Sequence, residues 1–259
     1  LTQVSFSTHS QHCNLRSICS LADDTTACNR LCSSYIAIHG LNGDGGRTAA
    51  ANIPDGYRLV TLANSAAAAD QSAIYGELAK YAATFSRQFD PDETQIKSLY
   101  LYSAEPGTGK TTTAAALLNE YLAVHYVGSL RRGLQPNARP AYFLDVNAWQ
   151  TDFNAFNRPR VPESIAAPAA ERYYRSQSAA TSAGFLVMDD IGVRDASEAF
   201  RADLHTLINS RVAAGLPTVY TSNIPMAELA TLFDRRLADR VRDMCAEFTF
   251  KGVSKRGLR

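Results

Sequence analysis

The sequence predicts an α/β fold, a parallel sheet covered by helices on both sides, with a small cysteine-rich unit in front of it. Three observations carry that expectation. From residue 98 onward, short strand-like segments alternate with helical ones. The segment GFLVMDD is apolar on both faces before its acids, as a strand buried from both sides must be. Between the strand-like SLYLYS and the helix-like TTTAAALLNEYLAVHYV lies a glycine-rich turn, AEPGTGKT.

The elements follow in order. Residues 1–45 hold Cys13, Cys19, Cys28 and Cys32 and close on the glycine-rich IHGLNGDGG, a domain exit signal. Residues 46–97 read as a linker with Pro54 and Gly56, then a helix on which Tyr75, Leu78, Ala82, Phe85 and Phe89 recur at three- and four-residue steps. Asp90-Pro91 ends that helix. Residues 98–259 form the α/β domain, with strands at SLYLYS, AYFLDVN, GFLVMDD and LPTVYTSN. The helix ASEAFRADLHTLINSRVAAG places Phe200, Leu204, Leu207, Ile208 and Val212 on one side and is closed by Gly215. The polar, proline-containing stretch between Gln150 and Ser182 reads as a loop plus one irregular helix.

Bulk properties narrow the class. With 259 residues, 46% hydrophobic, 20% charged and a formal net charge of +1, the chain is neither a disordered tail nor a globally basic nucleic-acid binder. Residues 231–259 are locally basic, with eight Lys/Arg against four acids. No apolar run approaches the roughly 18–20 residues of a membrane span. The N-terminal LTQVSFSTHSQHC lacks the basic start and apolar middle of a secretory signal. A soluble, cytoplasmic protein is expected, and Leu1 in place of Met points to a trimmed chain or a fragment.

The glycine turn has the form of a phosphate cradle. Against G-x-x-x-x-G-K-S/T it reads A-E-P-G-T-G-K-T, with Ala104 where the first glycine stands. Backbone N–H groups around Gly107, Thr108 and Gly109 would face phosphate oxygens, and the following helix would add its dipole. Lys110 would reach the outer phosphates and the Thr111 hydroxyl would sit on Mg²⁺. Pro106 and Thr112 complete the expected set. Ala104 lies at the strand exit, where a small residue serves; the close approach is needed at Gly107 and Gly109. A chance turn between strand and helix is the bland alternative.

Hydrolysis needs acids at a neighbouring strand end. GFLVMDD delivers Asp189, expected in the Mg²⁺ shell, and Asp190, expected to polarise water as general base. An acidic helix cap after a buried strand is the bland alternative; it fits Asp190 fairly well and Asp189 poorly, and beside the cradle the functional reading is preferred. Asn223, ending VYTSN, could orient water or touch the terminal phosphate, although a strand-terminal Asn is also an ordinary turn former. In FDRRLADRVRD, Arg236 and Arg240 share a helix face. Arg240 is the candidate to reach a neighbouring subunit's γ-phosphate, with Arg236 in reserve, and Arg256 could approach the nucleotide from its own chain. Arg235 and Arg242 read as solvated partners of nearby aspartates.

The order LYLYSAEPGTGKTT, FLVMDDIG, TVYTSN, RRLADRVRD and VSKR resembles the AAA+ ATPases of the DnaC/DnaI bacterial helicase-loader family, over roughly residues 57–259. The cradle is common to many ATPases; the combination of DDIG, TSN and L-x-D-R-V is more selective. The resemblance implies an AAA+ P-loop ATPase domain with a small N-terminal metal-binding domain, ATP as the nucleotide, Arg240 as a trans-acting finger and Arg256 as a second sensor. Asp190 stands where most AAA+ proteins have Glu, and a shorter carboxylate suits slow hydrolysis and a timed switch.

The cysteine spacing C-x5-C-x8-C-x3-C is not that of a standard finger. Cys28 and Cys32, one helical turn apart, would point both thiolates to one side. Four thiolates suit tetrahedral Zn²⁺, which would supply folding energy to so small a segment. An iron–sulfur cluster, no metal, or two disulfides in an oxidising setting are the alternatives. His9, His12 and His39 could each replace one ligand, and Cys245 reads as a buried, inert thiol. Loaders of the DnaI type also carry an N-terminal zinc module that contacts the helicase, with a different ligand spacing.

These expectations combine into an ATP-dependent loader of a hexameric, DnaB-type replicative helicase. It would assemble as a homo-oligomer and bind single-stranded DNA, without a membrane partner. Phe153, Arg158, Arg160, Tyr173 and Tyr174 mix aromatics with arginines as single-strand grooves do, and an ordinary surface loop explains them as well. An IstB-like transposition helper is the second reading, disfavoured by the metal cluster. A non-hydrolysing ATP-binding interaction module is the third.

Overall fold

Short apolar segments punctuated by glycine and proline leave little choice of element along this chain. In the computed structural model, residues 9–22, 24–90, 92, 94–192, 196–231 and 233–252 are described. Two short helices come first, α1 (Ser33–His39) and α2 (Gly46–Ala50). Next is α3 (Ser72–Ala83), where the Tyr75–Phe89 periodicity predicts a helix, but its last part, Thr84–Phe89, is a tighter 3-10 segment. The α/β part follows as β1 (Ser98–Tyr102), α4 (Lys110–Arg131), β2 (Ala141–Asp145), α5 (Val146–Asn157), α6 (Glu163–Ser182) and β3 (Phe185–Asp189). It ends with α7 (Glu198–Ala213), β4 (Thr218–Ser222), α8 (Arg235–Met244) and β5 (Cys245–Thr249).

The five strands form one parallel sheet in the order β2-β3-β4-β1-β5. Alternation along each strand divides the core in two. Leu99, Leu101, Phe185, Val187 and Val219 face α4 and α3, where Leu78, Phe85, Leu117, Leu118, Tyr121 and Leu122 meet them. Tyr100, Leu186, Met188 and Tyr220 face the opposite layer of Trp149, Tyr173, Phe200, Leu204, Ile208 and Val241. Burying a side chain of this size stabilises by about 1.5–3 kcal/mol. Helices therefore cover both faces, as strands apolar on both sides require.

Two expectations need correction. The stretch between Gln150 and Ser182 is not a loop with one irregular helix but most of two packed helices, α5 and α6. Pro168 sits inside α6, and its buried face is built from Ala169, Tyr173, Ala179 and Ala180, so the usual leucine-rich signal is missing. Trp149 stacks on Tyr173 at 4.8 Å and donates from Nε1 to the Tyr173 carbonyl at 3.2 Å. Phe153 and Tyr173 are consequently core residues that no nucleic acid can stack upon, while Arg158, Arg160 and Tyr174 are exposed. The second correction is β5, which sequence patterning did not reveal. It is an edge strand, pairing only with β1, and its exposed Glu247 and Thr249 break the apolar run.

The cysteine-bearing segment docks on the outer face of α4. Leu15 and Ile38 pack against Ala123 and Tyr126. The buried Asn14 amide donates to Asn119 Oδ1 at 2.9 Å, and Asn119 donates in turn to the carbonyls of Tyr57 and Val60. Arg47 donates to the carbonyls of Ala37, Pro136 and Asn137 and lies 5.0 Å over the Tyr126 ring. Among the described residues no helix is long and apolar enough to cross a membrane.

Candidate nucleotide site

β1 ends at Tyr102, and the chain turns through Ala104, Glu105 and Pro106, all exposed, into the start of α4. Gly107 and Gly109 have φ of 73° and 100°, in the region where a side chain is strained. A Cβ on Gly109 would stand 2.5 Å from the Ala67 Cβ, so that position is closed to any larger residue. Thr108 is buried between the two glycines. This left-handed turn running into a 22-residue helix is the backbone form that gathers N–H groups for an anion.

Lys110 is buried, and its Nζ donates to Asn223 Oδ1 at 2.6 Å and to the carbonyls of Glu105 and Ser103 at 3.3 and 3.4 Å. Its ammonium is thus held at the sheet edge rather than in solvent. Thr111, one residue along, donates from Oγ1 to Asp189 Oδ2 at 3.2 Å. Thr112 continues the first turn of α4, half-buried.

Asp189 is the last residue of the fully buried β3. Burial pushes its carboxyl up to about 6, and nearby Asp190 and Asp145 add to the effect, against hydrogen bonds from Thr221 and Thr111 that oppose it. A buried carboxylate that among the described residues is bonded by two hydroxyls and flanked by other acids is short of positive charge, which a hard divalent cation supplies. Mg²⁺ therefore fits the Thr111–Asp189 pair. Asp190 is partly exposed at a turn with φ of 59°, unusual for a residue other than glycine.

The expected residues divide into those brought together and those placed elsewhere. The cradle, Asp189, Asp190 and Asn223 converge on one edge of the sheet. Arg240 sits on α8, half-buried, and donates to Asn209 Oδ1 of α7 at 2.6 Å. No hydrogen bond or ion pair among the described residues joins it to the cradle or the acids. Arg236 is exposed on the same helix, and Arg242 pairs with Asp239 at 2.8 Å. Arg256 lies outside the described residues. Sequence reasoning missed Thr221, whose buried hydroxyl contacts both Asp189 and Asp190. It also missed Ser222, which donates to the Ile191 carbonyl. Their one signal was their place before Asn223 in TSN.

Cys13, Cys19, Cys28 and Cys32 line one cavity of about 30 Å³ together with His9 and Tyr35. All four are free thiols here, and burial pushes Cys13 up to about 11, the Leu15 N–H opposing the shift and the other thiols adding to it. Cys28 and Cys32 do not share a helical face: residues 28–31 form turns, and α1 begins after Cys32. Among the described residues no three His, Cys, Asp or Glu side chains are grouped to hold a metal ion, so these cysteines do not form a ready zinc site. Cys245 is partly buried in β5, and burial pushes its thiol up to about 12, consistent with an inert side chain.

No family model matches this sequence, and no curated protein matches it. Solved structures do. A protein assigned as a primosome component of Streptococcus pyogenes serotype M3 is 24% identical with a TM-score of 0.51, covering 85% of this chain and 98% of its own. The DnaI structure is 19% identical with a TM-score of 0.53, covering 79% of this chain and 94% of its own. The DnaC helicase loader is 18% identical with a TM-score of 0.51, covering 76% of this chain and all of its own. The chain shares the fold of these neighbours, a parallel sheet covered by helices that matches the AAA+ P-loop type, and the likeness to DnaI and the DnaC helicase loader is one of fold alone.

Proposed function

We propose that this chain is an ATP-dependent loader of a hexameric, DnaB-type replicative helicase, acting in the cytoplasm as an ATP-controlled oligomeric switch on single-stranded DNA. The observation that carries the reading is the convergence of Lys110 with Asn223, and of Thr111 with Asp189, at one sheet edge beside a left-handed glycine turn. The likeness of fold to the DnaC helicase loader and DnaI supports the choice of helicase loading over other uses of ATP.

Each side chain then has a task. The N–H groups of the turn at Gly107–Gly109 and the α4 N-terminus receive the phosphates. Lys110 exchanges its bonds to Asn223 and two carbonyls for phosphate oxygens, so its charge is positioned before the nucleotide arrives. Bound by Thr111 and Asp189, Mg²⁺ would offset charge developing on the phosphate oxygens. Asp190 accepts a proton from the attacking water, and Asn223, freed from Lys110, orients that water or the terminal phosphate. Arg240, bonded to Asn209 rather than to its own cradle, would serve the neighbouring subunit's nucleotide, and Arg256 its own chain's. An aspartate at position 190 reaches less far than a glutamate, so turnover is slow.

The cysteine segment is the helicase-gripping module in this proposal. Zinc at Cys13, Cys19, Cys28 and Cys32 rests on their shared cavity alone, and no step depends on it. Equimolar zinc in the purified chain would support it.

Single-turnover hydrolysis by wild type, Asp190→Asn and Arg240→Ala tests the enzymatic reading. Hydrolysis should fall at least about a hundred-fold in both variants, in keeping with the loss of a general base or a finger. Equal turnover in all three would end it. Recovery of a replicative helicase with the full chain from cell extract supports the loader reading, and recovery of a transposase overturns it.

A further inference from the structure

The Thr221 hydroxyl lies between the two acids. It is fully buried on β4, donates to Asp189 Oδ1 at 2.7 Å and accepts the Asp190 N–H at 2.9 Å. A hydroxyl has one proton to give, and here it goes to the carboxylate while a lone pair takes the amide. The opposite oxygen of Asp189 is bonded by Thr111 from α4. Asp190 adopts its left-handed turn directly above, and two further bonds tie that turn to β4. The Ile191 N–H donates to the Thr221 carbonyl at 3.0 Å, and Ser222 Oγ donates to the Ile191 carbonyl at 2.8 Å.

We propose that Thr221 is a positioning residue that couples the orientation of the Asp189 carboxylate to the backbone turn at Asp190, so that the metal-holding acid and the water-polarising acid are set as one unit from β4. The proposal rests on the reading of Asp189 as a Mg²⁺ ligand. Geometry supports it: a β-branched side chain inside a strand is stiff at χ1, so the hydroxyl is fixed by the strand itself. The groups it holds are the carboxylate read as the metal ligand and the backbone of the acid beside it. Partners that orient a ligand in this way typically change metal affinity by about 10–100-fold when removed.

The test compares Thr221→Val, which keeps shape and removes the hydroxyl, with Thr221→Ser, which keeps the hydroxyl. Binding of a fluorescent ATP analogue is measured in EDTA and across a Mg²⁺ titration, with thermal unfolding as a check on the fold. In Thr221→Val, affinity in EDTA should stay within about two-fold of wild type, whereas the Mg²⁺ concentration for half-maximal effect should rise about ten-fold. Thr221→Ser should restore the wild-type Mg²⁺ dependence. A Mg²⁺ dependence in Thr221→Val equal to wild type overturns the proposal and leaves the nucleotide site standing. A wild type whose binding ignores Mg²⁺ removes the reading of Asp189, and the proposal with it. If Thr221→Val does not fold, amide exchange in the wild type decides. The Asp190 N–H should be protected although it lies in a turn, and exchange as fast as in an exposed loop overturns the coupling.

Discussion

Lowering the pH should destabilise the chain through one buried ring in its N-terminal segment. His39 is completely buried, accepts the Asn14 backbone N–H at Nε2 at 3.1 Å, and finds no partner for Nδ1 among the described residues. The acceptor role of Nε2 requires a neutral ring with its proton on Nδ1. Burial pushes the imidazole down from 6.5 to about 4, with the charge of His9 adding to the effect. The native state therefore refuses a proton that the unfolded chain takes up below about pH 6.5. Stability is complete above that pH, declines as the pH falls towards about 4, and levels off once the native ring is protonated as well. At about 1.4 kcal/mol per unit, the full cost is about 3 kcal/mol, and about 2 kcal/mol is already lost at about pH 5. Urea unfolding of wild type and His39→Gln from about pH 8 to about pH 4.5 reads this directly. The difference between the two free energies should shrink with falling pH along that slope, since other groups cancel. A difference that stays flat would refute the reasoning, as would a His39 ring titrating near 6.5 by NMR.

Two further outcomes follow from buried geometry. Arg211 is buried without a carboxylate, and its guanidinium donates to Thr218 Oγ1 and to the carbonyls of Ala180, Ala183 and Pro217. Arg211→Met should cost about 3–5 kcal/mol in urea unfolding by stranding those acceptors, without changing ATP affinity at the far edge of the sheet. Gly109→Ala forces a Cβ to 2.5 Å from that of Ala67 at a φ of 100°. Calorimetry should show ATP affinity lowered by at least about ten-fold, and adding Ala67→Gly should recover only part of it, because the backbone strain remains.

What could be read from the sequence was local. The cradle is legible because glycine, lysine and threonine must follow one another within a single turn, and Asp189 because a fully apolar strand ends on it. Features set by distant partners were not legible. Asn14 and Asn119 are 105 residues apart and each is an ordinary polar residue in its own neighbourhood. Phe153 and Tyr173 read as a nucleic-acid surface because the text around them is polar, yet α5 and α6 turn both rings inward, Phe153 onto Phe200 and Tyr173 onto Trp149. The spacing of Cys28 and Cys32 suggested a helical turn, but spacing alone does not form a helix, and the chain is still turning there.

Strand order explains why the second half of the site was hidden. β4 lies between β3, which carries the acids, and β1, which leads into the cradle. It is the one strand hydrogen-bonded to both. Thr221 therefore reaches sideways to Asp189 and Asp190, and Asn223, two residues on and past the strand end, reaches the other way to Lys110. In sequence, Asn223 is 113 residues from the lysine it meets, so nothing in TSN declares that its alternate residues serve different partners. A sheet in which β1 and β3 were neighbours would bring lysine and acids together directly and leave no strand to hold them apart. The inserted strand instead makes the distance between cradle and acids a property of β4. A change at Thr221 should thus be felt at the metal, and a change at Asn223 at the phosphate.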